Sequence, residues 1–197
     1  MKKRDLEMQL QKLRPMVDPE AALEQYSTPA NIAADVLFQA FANGDISDRT
    51  VLDLGCGNGI FALGAWLLGA EKVTGVDISE KALDVARTNA EELGADIDWI
   101  LSDVRSFSER ADTVLMNPPF GSQCKGADRP FLETAIIAAP AVYSLHMAET
   151  LPFLEKFAQK KGREVSFHKE YKYGIPHLFT FHRKVKESID IVMIIIR

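Results

Sequence analysis

Four consecutive residues, Asn117-Pro118-Pro119-Phe120, combine a side-chain amide, two backbone positions without a donor, and an aromatic face. They follow Asp112-Thr113-Val114-Leu115-Met116, which reads as a buried strand, so they fall at the strand's C-terminal end, where open α/β sheets place their ligands. Each proline fixes φ and removes an N–H, which leaves rigid outward carbonyls as acceptors. The Asn117 side-chain oxygen and the Pro118 carbonyl can each accept one N–H of an exocyclic amino group. Such contacts favour a pyramidal nitrogen whose lone pair is released from the ring. Phe120 offers a planar base a stacking face, typically contributing about 1–3 kcal/mol. The plainer alternative is a proline-stiffened loop with Phe120 as packing.

A second constellation lies upstream. Val51-Leu52-Asp53-Leu54-Gly55-Cys56-Gly57-Asn58-Gly59 sets a buried strand directly before three glycines and an amphipathic helix, so that the backbone can turn tightly and a ligand can approach without meeting a Cβ atom. Asp77 ends the following strand, about 20 residues after the turn, where an acid can accept both hydroxyls of a ribose. Asp103, in Ser102-Asp103-Val104, ends the third strand, from which its carboxylate can meet an adenine amine. The glycines alone also fit the looser nicotinamide-dinucleotide fingerprint, with Ala62 in its last place, or a mere tight turn. Strand, glycines and acid together favour a nucleoside site. If its ligand carries a cationic sulfonium, the methyl group is already activated, no strong base is required, and alignment does most of the catalysis.

These residues need a sheet to hold them. Apolar positions recur at helical spacing over residues 3–14 and 30–42, and Asn43-Gly44-Asp45 ends the second segment. An alternation follows: strand 50–54, helix 58–68, strand 72–77, helix 80–93, strand 98–101 and strand 112–116. This is the rhythm of a doubly wound, mostly parallel α/β sheet. Helices are expected over 131–138 and 147–161, around the apolar segment Ala141 to Leu145, and closing strands over 165–173 and 189–196. The expected organisation is one domain over residues 1–197, in which residues 1–45 form a helical N-terminal extension contributing to the donor site.

Composition bounds the partners. The longest apolar run, Ile189 to Ile196, contains Asp190 and is far shorter than the roughly 18–20 residues of a membrane span. The basic N-terminus has no apolar run behind it, so it does not read as a secretory signal, and the chain is expected to be cytoplasmic. Cys56 and Cys124 make neither a zinc knuckle nor a disulfide framework, and His146, His168, His177 and His182 show no metal spacing. These histidines read as surface or hydrogen-bonding residues, with His146 a candidate for the pocket mouth. The net charge of −5 divides into −10 over residues 1–150 (13 Lys and Arg against 23 Asp and Glu) and +5 over 151–197 (10 against 5). The basic C-terminal quarter is either a set of solvated faces or a phosphate-contacting surface that includes Lys169, Lys172, Arg183 and Lys184.

The chain resembles the class I S-adenosylmethionine-dependent methyltransferases, and within them the amino-methylating group whose signature is Asn/Asp-Pro-Pro-Phe/Tyr. Leu23-Glu24-Gln25-Tyr26-Ser27-Thr28-Pro29, Asp53-Leu54-Gly55-Cys56-Gly57, Met116-Asn117-Pro118-Pro119-Phe120-Gly121 and Ala141-Val142-Tyr143-Ser144-Leu145-His146 together resemble the methyltransferase-like family that makes N6-methyladenosine in small-subunit ribosomal RNA. The resemblance runs over almost the whole chain. It implies that Gln25, Thr28, Gly55, Asn58, Ile60, Asp77, Asp103 and Val104 hold S-adenosyl-L-methionine, Asn58 standing where other members can carry Cys. It assigns the target adenine to Asn117, Pro118, Pro119 and Phe120. It further implies a seven-stranded sheet whose last strand is antiparallel, RNA with an unpaired or flipped adenosine as substrate, and a small zinc-ribbon methyltransferase activator protein as partner. From the residues alone, Ser27 or Thr28 also suits an N-cap for the helix at Ala30, which is compatible with donor binding.

Other activities share parts of this pattern. A protein glutamine amide also presents two donors to an Asn-Pro-Pro loop, although that group usually has Tyr at the position of Phe120. A DNA adenine methyltransferase would need a target-recognition domain for which the chain has little room. A transfer-RNA adenine methyltransferase fits the same motifs. A noncatalytic donor-binding module would have no use for the intact tetrapeptide.

Overall fold

Apolar runs that end on glycine or acid become the strands of one twisted sheet. The computed structural model describes residues 1–16, 28–120, 126–174 and 188–197. In chain order the elements are α1 (Lys3–Leu10), α2 (Ala30–Ala42), β1 (Thr50–Leu54), α3 (Ile60–Leu67), β2 (Lys72–Asp77), α4 (Glu80–Leu93), β3 (Asp98–Leu101), β4 (Thr113–Met116), α5 (Arg129–Ala138), β5 (Ala141–Met147), α6 (Leu151–Lys160), β6 (Val165–Gly174) and β7 (Ser188–Ile196). The seven strands lie in the order β3-β2-β1-β4-β5-β7-β6. β1 to β5 are parallel, and β7 runs antiparallel to both neighbours, β5 and β6. The chain leaves β1 for one edge and returns to its other side at β4, which makes the β1–β4 boundary the switch point where such sheets bind ligands.

The expected elements recur with shifts of a few residues, and the segment Ala141 to Leu145 proves to be an inner strand of the sheet. Ser144 and His146 interrupt its apolar pattern, yet both are fully buried, because each finds a polar partner. The expected helix over 147–161 is divided into a 3-10 turn, Ala148–Thr150, and α6, with Pro152 in the first turn of α6, where its missing N–H costs nothing.

Alternate residues of the strands feed two cores. Val51, Val73, Leu115, Tyr143 and Met193 face α1, α2 and α3, while Leu52, Val114, Met116, Val142 and Ile194 face α5 and α6. α4 starts on Ser79, whose hydroxyl accepts the Ala82 N–H, and ends on Gly94 at φ +67°. α1 is tied to the body by an ion pair between Lys3 and Asp35 of α2. Asp35 also accepts the Tyr171 hydroxyl at 2.7 Å and pairs with Lys169. Burial would raise the Asp35 carboxyl, but the hydrogen bonds from Lys169, Lys3 and Tyr171 outweigh it and bring it down to about 2.

This network corrects the phosphate-contact reading at one position: Lys169 is committed to Asp35 and lies over the Tyr171 ring, 5.3 Å from its centroid. Lys172 is mostly exposed and pairs only loosely with Asp190 at 3.4 Å, so it stays available. Arg183 and Lys184 lie outside the described residues. Among the described residues no helix is long and apolar enough to cross a membrane.

Candidate active site

Three neighbouring strands end together. Leu54 is in register with Val76 on one side and Met116 on the other, so Gly55, Asp77 and Asn117 follow at one level. With strands spaced about 4.8 Å apart, Asp77 and Asn117 flank Gly55 across roughly 10 Å, the scale of a nucleoside and its reacting substituent.

The glycine turn is shaped by its own hydrogen bonds. Gly55 and Cys56 both donate their N–H to the Val76 carbonyl, at 2.8 and 3.0 Å, and so bend the chain over the end of β2. Gly55 has φ +70°, and a Cβ there would meet Phe131 Cε1 at 2.9 Å. Gly57 also has positive φ, +55°, but a Cβ there would meet nothing within 4 Å. The first glycine is required by protein packing; the second borders open space at the strand ends. Asp77 locks the turn: its Oδ2 accepts the Gly57 N–H and its Oδ1 the Ser79 N–H, both at 2.9 Å. Burial raises the Asp77 carboxyl, and the amides of Ser79, Gly57 and Ile78 offset part of the rise.

One strand earlier, Asp53 points to the helix side of β1 and accepts the Ala62 N–H at 2.9 Å. It satisfies one of the donors left free at the start of α3, beside Ile60, which is buried. Burial pushes its carboxyl up to about 7; the Ala62 N–H lowers it somewhat and the Asp77 charge adds to the rise.

The N-terminal extension is fastened at the same turn. The Arg14 carbonyl accepts from Asn58 Nδ2 at 3.0 Å and Asn89 Nδ2 at 3.3 Å, and Arg14 N–H donates to Asn89 Oδ1 at 2.8 Å. Asn89 Nδ2 also donates to the Asn58 carbonyl at 3.0 Å. The Asn58 side chain, assigned to the donor by resemblance, is therefore engaged with the arm that follows α1.

The arm returns to the site at Thr28, which is buried just before α2. Its Oγ1 accepts the Asn117 Nδ2–H at 3.0 Å. Asn117 Oδ1 is buried and has no hydrogen-bond partner among the described residues. A buried carbonyl oxygen of this kind needs a partner, and a bound ligand or a water would supply one. Pro118 is buried behind it, and Phe120 packs against the core between the sheet and α1–α3 while keeping part of its surface exposed. Packing and a stacking face therefore coexist in Phe120.

Asp103 caps the 3-10 turn Val104–Ser106 through the Arg105 N–H at 2.8 Å and meets the Arg105 guanidinium at 3.1 Å. The Val104 side chain is buried, and its carbonyl accepts the Thr134 hydroxyl at 2.9 Å. Gln25 lies outside the described residues. Thus Gly55, Asp77 and Asn117 converge, Thr28 joins Asn117, Asn58 turns to the arm, and Asp103 stands at the end of β3.

His146 does not sit at a pocket mouth as expected; it is 2% exposed. Its Nε2 lies 2.7 Å from Ser144 Oγ and its Nδ1 3.3 Å from Asp128 Oδ2, which clips the start of α5 to β5. Neither this clip nor the Arg14–Asn58–Asn89 network follows from local sequence. The available signal was a polar residue on an apolar stripe: Asn89 on the buried face of α4 with Ala82, Leu83, Ala86 and Ala90, and Ser144 and His146 in an inner strand.

The strand ends fit S-adenosylmethionine: open space over Gly57, an amide-braced carboxylate at Asp77 for a ribose, and a second acid at Asp103, two residues past the end of the neighbouring β3. A family model described as the methyltransferase small domain matches residues 27–145. Over 205 residues the chain is 40% identical to the rRNA N(6)-adenosine-methyltransferase METTL5 of Danio rerio, spanning 100% of this chain and 98% of that one. It is 36% identical over 200 residues to the rRNA N(6)-adenosine-methyltransferase Mettl5 of Drosophila melanogaster, spanning 97% and 94%. A crystal structure from Pyrococcus horikoshii, provisionally assigned as an RNA methyltransferase, is similar with a TM-score of 0.93 and 41% identity over 100% of this chain and 97% of that one. The chain belongs to the methyltransferase small domain family, among whose members it is similar from end to end to the rRNA N(6)-adenosine-methyltransferases.

Proposed function

We propose that this chain transfers a methyl group from S-adenosylmethionine to the N6 amine of an adenosine in ribosomal RNA, as the names of its full-length relatives describe for them. The observation that carries this reading is the buried, unpartnered Asn117 Oδ1, beside two prolines at the switch point of the sheet.

S-adenosylmethionine, when bound, supplies an activated methyl group on a sulfonium. Asp77, and Asp103 with the Val104 backbone, would hold its ribose and adenine beside Gly55 and Gly57, and Ile60 would close the apolar side; Gln25 belongs to this set by resemblance. Asn117 Oδ1 accepts one N–H of the target amine and the Pro118 carbonyl accepts the other. Pro119 keeps that carbonyl fixed, and Phe120 stacks on the ring. With the donor bound, the amine held by Asn117 and Pro118 would present its lone pair to the sulfonium methyl group, the S–C bond would break as the N–C bond forms, and the amine proton would pass to solvent. The work of the protein is orientation and desolvation, and no base is needed in the site.

The amine of a paired adenine lies within the duplex, so the target is unpaired or flipped. Two exposed apolar residues, Leu101 (54%) at the end of β3 and Ile78 (56%) just past the end of the neighbouring β2, lie where β3 forms one edge of the sheet. An open edge of this kind accepts an added strand, which supports the small zinc-ribbon activator protein as partner. Residues 1–197 then act as one catalytic unit.

The experiment is transfer of a labelled methyl group to one RNA offered single-stranded and annealed to its complement, followed by nucleoside analysis. N6-methyladenosine from the single strand, and little from the duplex, is the expected product. Label in glutamine of a protein substrate, with none in RNA, would overturn the reading.

A further inference from the structure

We infer that Asn89 is a positioning residue that ties the N-terminal arm to the donor turn, so that arm docking and S-adenosylmethionine binding strengthen each other; this rests on the donor assigned above. Asn89 lies on α4, away from the strand ends, and is 0% exposed. The other buried residues of that helix, Ala82, Leu83, Ala86 and Ala90, are apolar. A buried amide persists where its donors and acceptor are matched. Both N–H groups and the oxygen of Asn89 are matched, and to two segments far from each other in sequence. Oδ1 accepts the Arg14 N–H at 2.8 Å, and Nδ2 donates to the Asn58 carbonyl at 3.0 Å and the Arg14 carbonyl at 3.3 Å.

On the arm side, the Asn89 amide pairs with the N–H and C=O of Arg14 as one peptide group pairs with another. Pro15 biases Arg14 to extended backbone, in which these two groups point the same way. On the turn side, Asn89 fixes the peptide between Asn58 and Gly59: Nδ2 holds its carbonyl, and its N–H donates to the Cys56 carbonyl at 2.8 Å. α4 lies directly against that peptide, since a Cβ at Gly59 would meet Ala86 Cβ at 3.3 Å. The Asn58 side chain closes the triangle through the Arg14 carbonyl at 3.0 Å, a contact compatible with its place in the donor site. Gly57 beside it borders the open space assigned to the donor, and Gln25 and Thr28, given to the donor by resemblance, continue the same arm. The donor thus meets both partners that Asn89 joins. A ligand held by arm and turn together binds their joined state better than their separated state, which is what coupling requires. A clip between helix and turn would need only the Asn58 carbonyl; the pairing with Arg14 brings in the arm. The Arg14 guanidinium also pairs with Glu92, but on the surface, where such a pair adds little.

The test uses the full chain. Asn89→Ala removes the joint, and Arg14→Pro deletes the arm N–H that Asn89 accepts without touching the core. By calorimetry each variant should bind S-adenosylmethionine about 10-fold more weakly, within the usual range of coupling between two sites. The double variant should bind no more weakly than Asn89→Ala alone, because both changes break one joint. At saturating donor, kcat should stay within about twofold of wild type while KM for the donor rises. Glu92→Ala, which removes only the surface ion pair, should bind the donor as wild type does. A readout independent of activity is hydrogen exchange at the Arg14 amide. Coupling is reciprocal, so saturating donor should slow that exchange in wild type by about the factor that Asn89→Ala loses in affinity, and should not slow it in Asn89→Ala. A residue that only packs α4 would not give this response. If Asn89→Ala fails to fold, the affinity of Arg14→Pro set against the wild-type exchange carries the same comparison. Wild-type donor affinity in either folded variant would overturn the inference, and so would weakened binding with no donor-dependent protection of Arg14 in wild type. If wild type itself binds no S-adenosylmethionine, the underlying donor assignment fails instead.

Discussion

Asp77 Oδ2 accepts the Gly57 N–H at 2.9 Å, joining the last residue of β2 to the middle of the turn that follows β1. The same carboxylate takes the Ser79 N–H on its other oxygen, so one side chain braces the turn and keeps further lone pairs for the ribose that the proposed function places there. Asp77→Ala should weaken S-adenosylmethionine binding by about 1–3 kcal/mol, the range for a lost charged hydrogen bond. Calorimetry on the folded variant gives the answer; unchanged affinity would remove Asp77 from the site.

Gly55 and Gly57 share a left-handed backbone but differ in their surroundings, so alanine should act differently at each. At Gly57 the added methyl enters open space, and the fold should survive with a loss of about 1–2 kcal/mol from the backbone conformation. Donor affinity should fall because the methyl occupies the ligand's side of the turn. At Gly55 the methyl runs into the Phe131 ring, so stability should fall further. Thermal melts paired with donor titrations distinguish the two, and a Gly57→Ala protein with normal donor affinity would move the cradle elsewhere.

The buried Asp53 makes stability depend on pH in a definite sense. Its carboxyl is pushed up to about 7, whereas in an unfolded chain an aspartate ionises at about 3.9. Between these values the folded chain keeps a proton that the unfolded chain has lost, so rising pH favours unfolding through that window and has no further effect above it. Asp77, also raised, acts in the same direction. Asp53→Asn keeps an acceptor for the Ala62 N–H and cannot ionise. Its stability relative to wild type should therefore improve between about pH 4 and pH 7 in denaturant titrations; a constant difference would show that Asp53 does not titrate in this range.

Much of this architecture is legible in sequence because strand ends carry chemical punctuation. Leu54 runs into glycines, Asp77 closes β2, and Met116 runs into Asn117-Pro118, so the strand ends that carry the candidate site can be placed before any contact is known. β5 is harder, since Ser144 and His146 break the apolar pattern of a strand whose polar side chains are satisfied by each other and by Asp128. The role of Lys169 was hidden for a similar reason: its partner Asp35 is 134 residues away. The links that orient the site, Thr28 to Asn117 and Arg14 to Asn58 and Asn89, join segments 89, 44 and 75 residues apart. Local spacing carries no trace of such pairings, because helix docking creates them.

The strand-end amide of Asn117 is expected to direct methyl transfer to adenosine N6 in ribosomal RNA. The most direct measurement is mass-spectrometric mapping of adenosine methylation in total RNA from cells carrying the wild-type gene, lacking it, or carrying Asn117→Ala, with donor affinity of the purified variant measured alongside. The expected result is one N6-methyladenosine in small-subunit ribosomal RNA that disappears both with the gene and with Asn117→Ala, while the variant still binds S-adenosylmethionine. An unchanged ribosomal RNA methylation pattern in cells lacking the gene would contradict it.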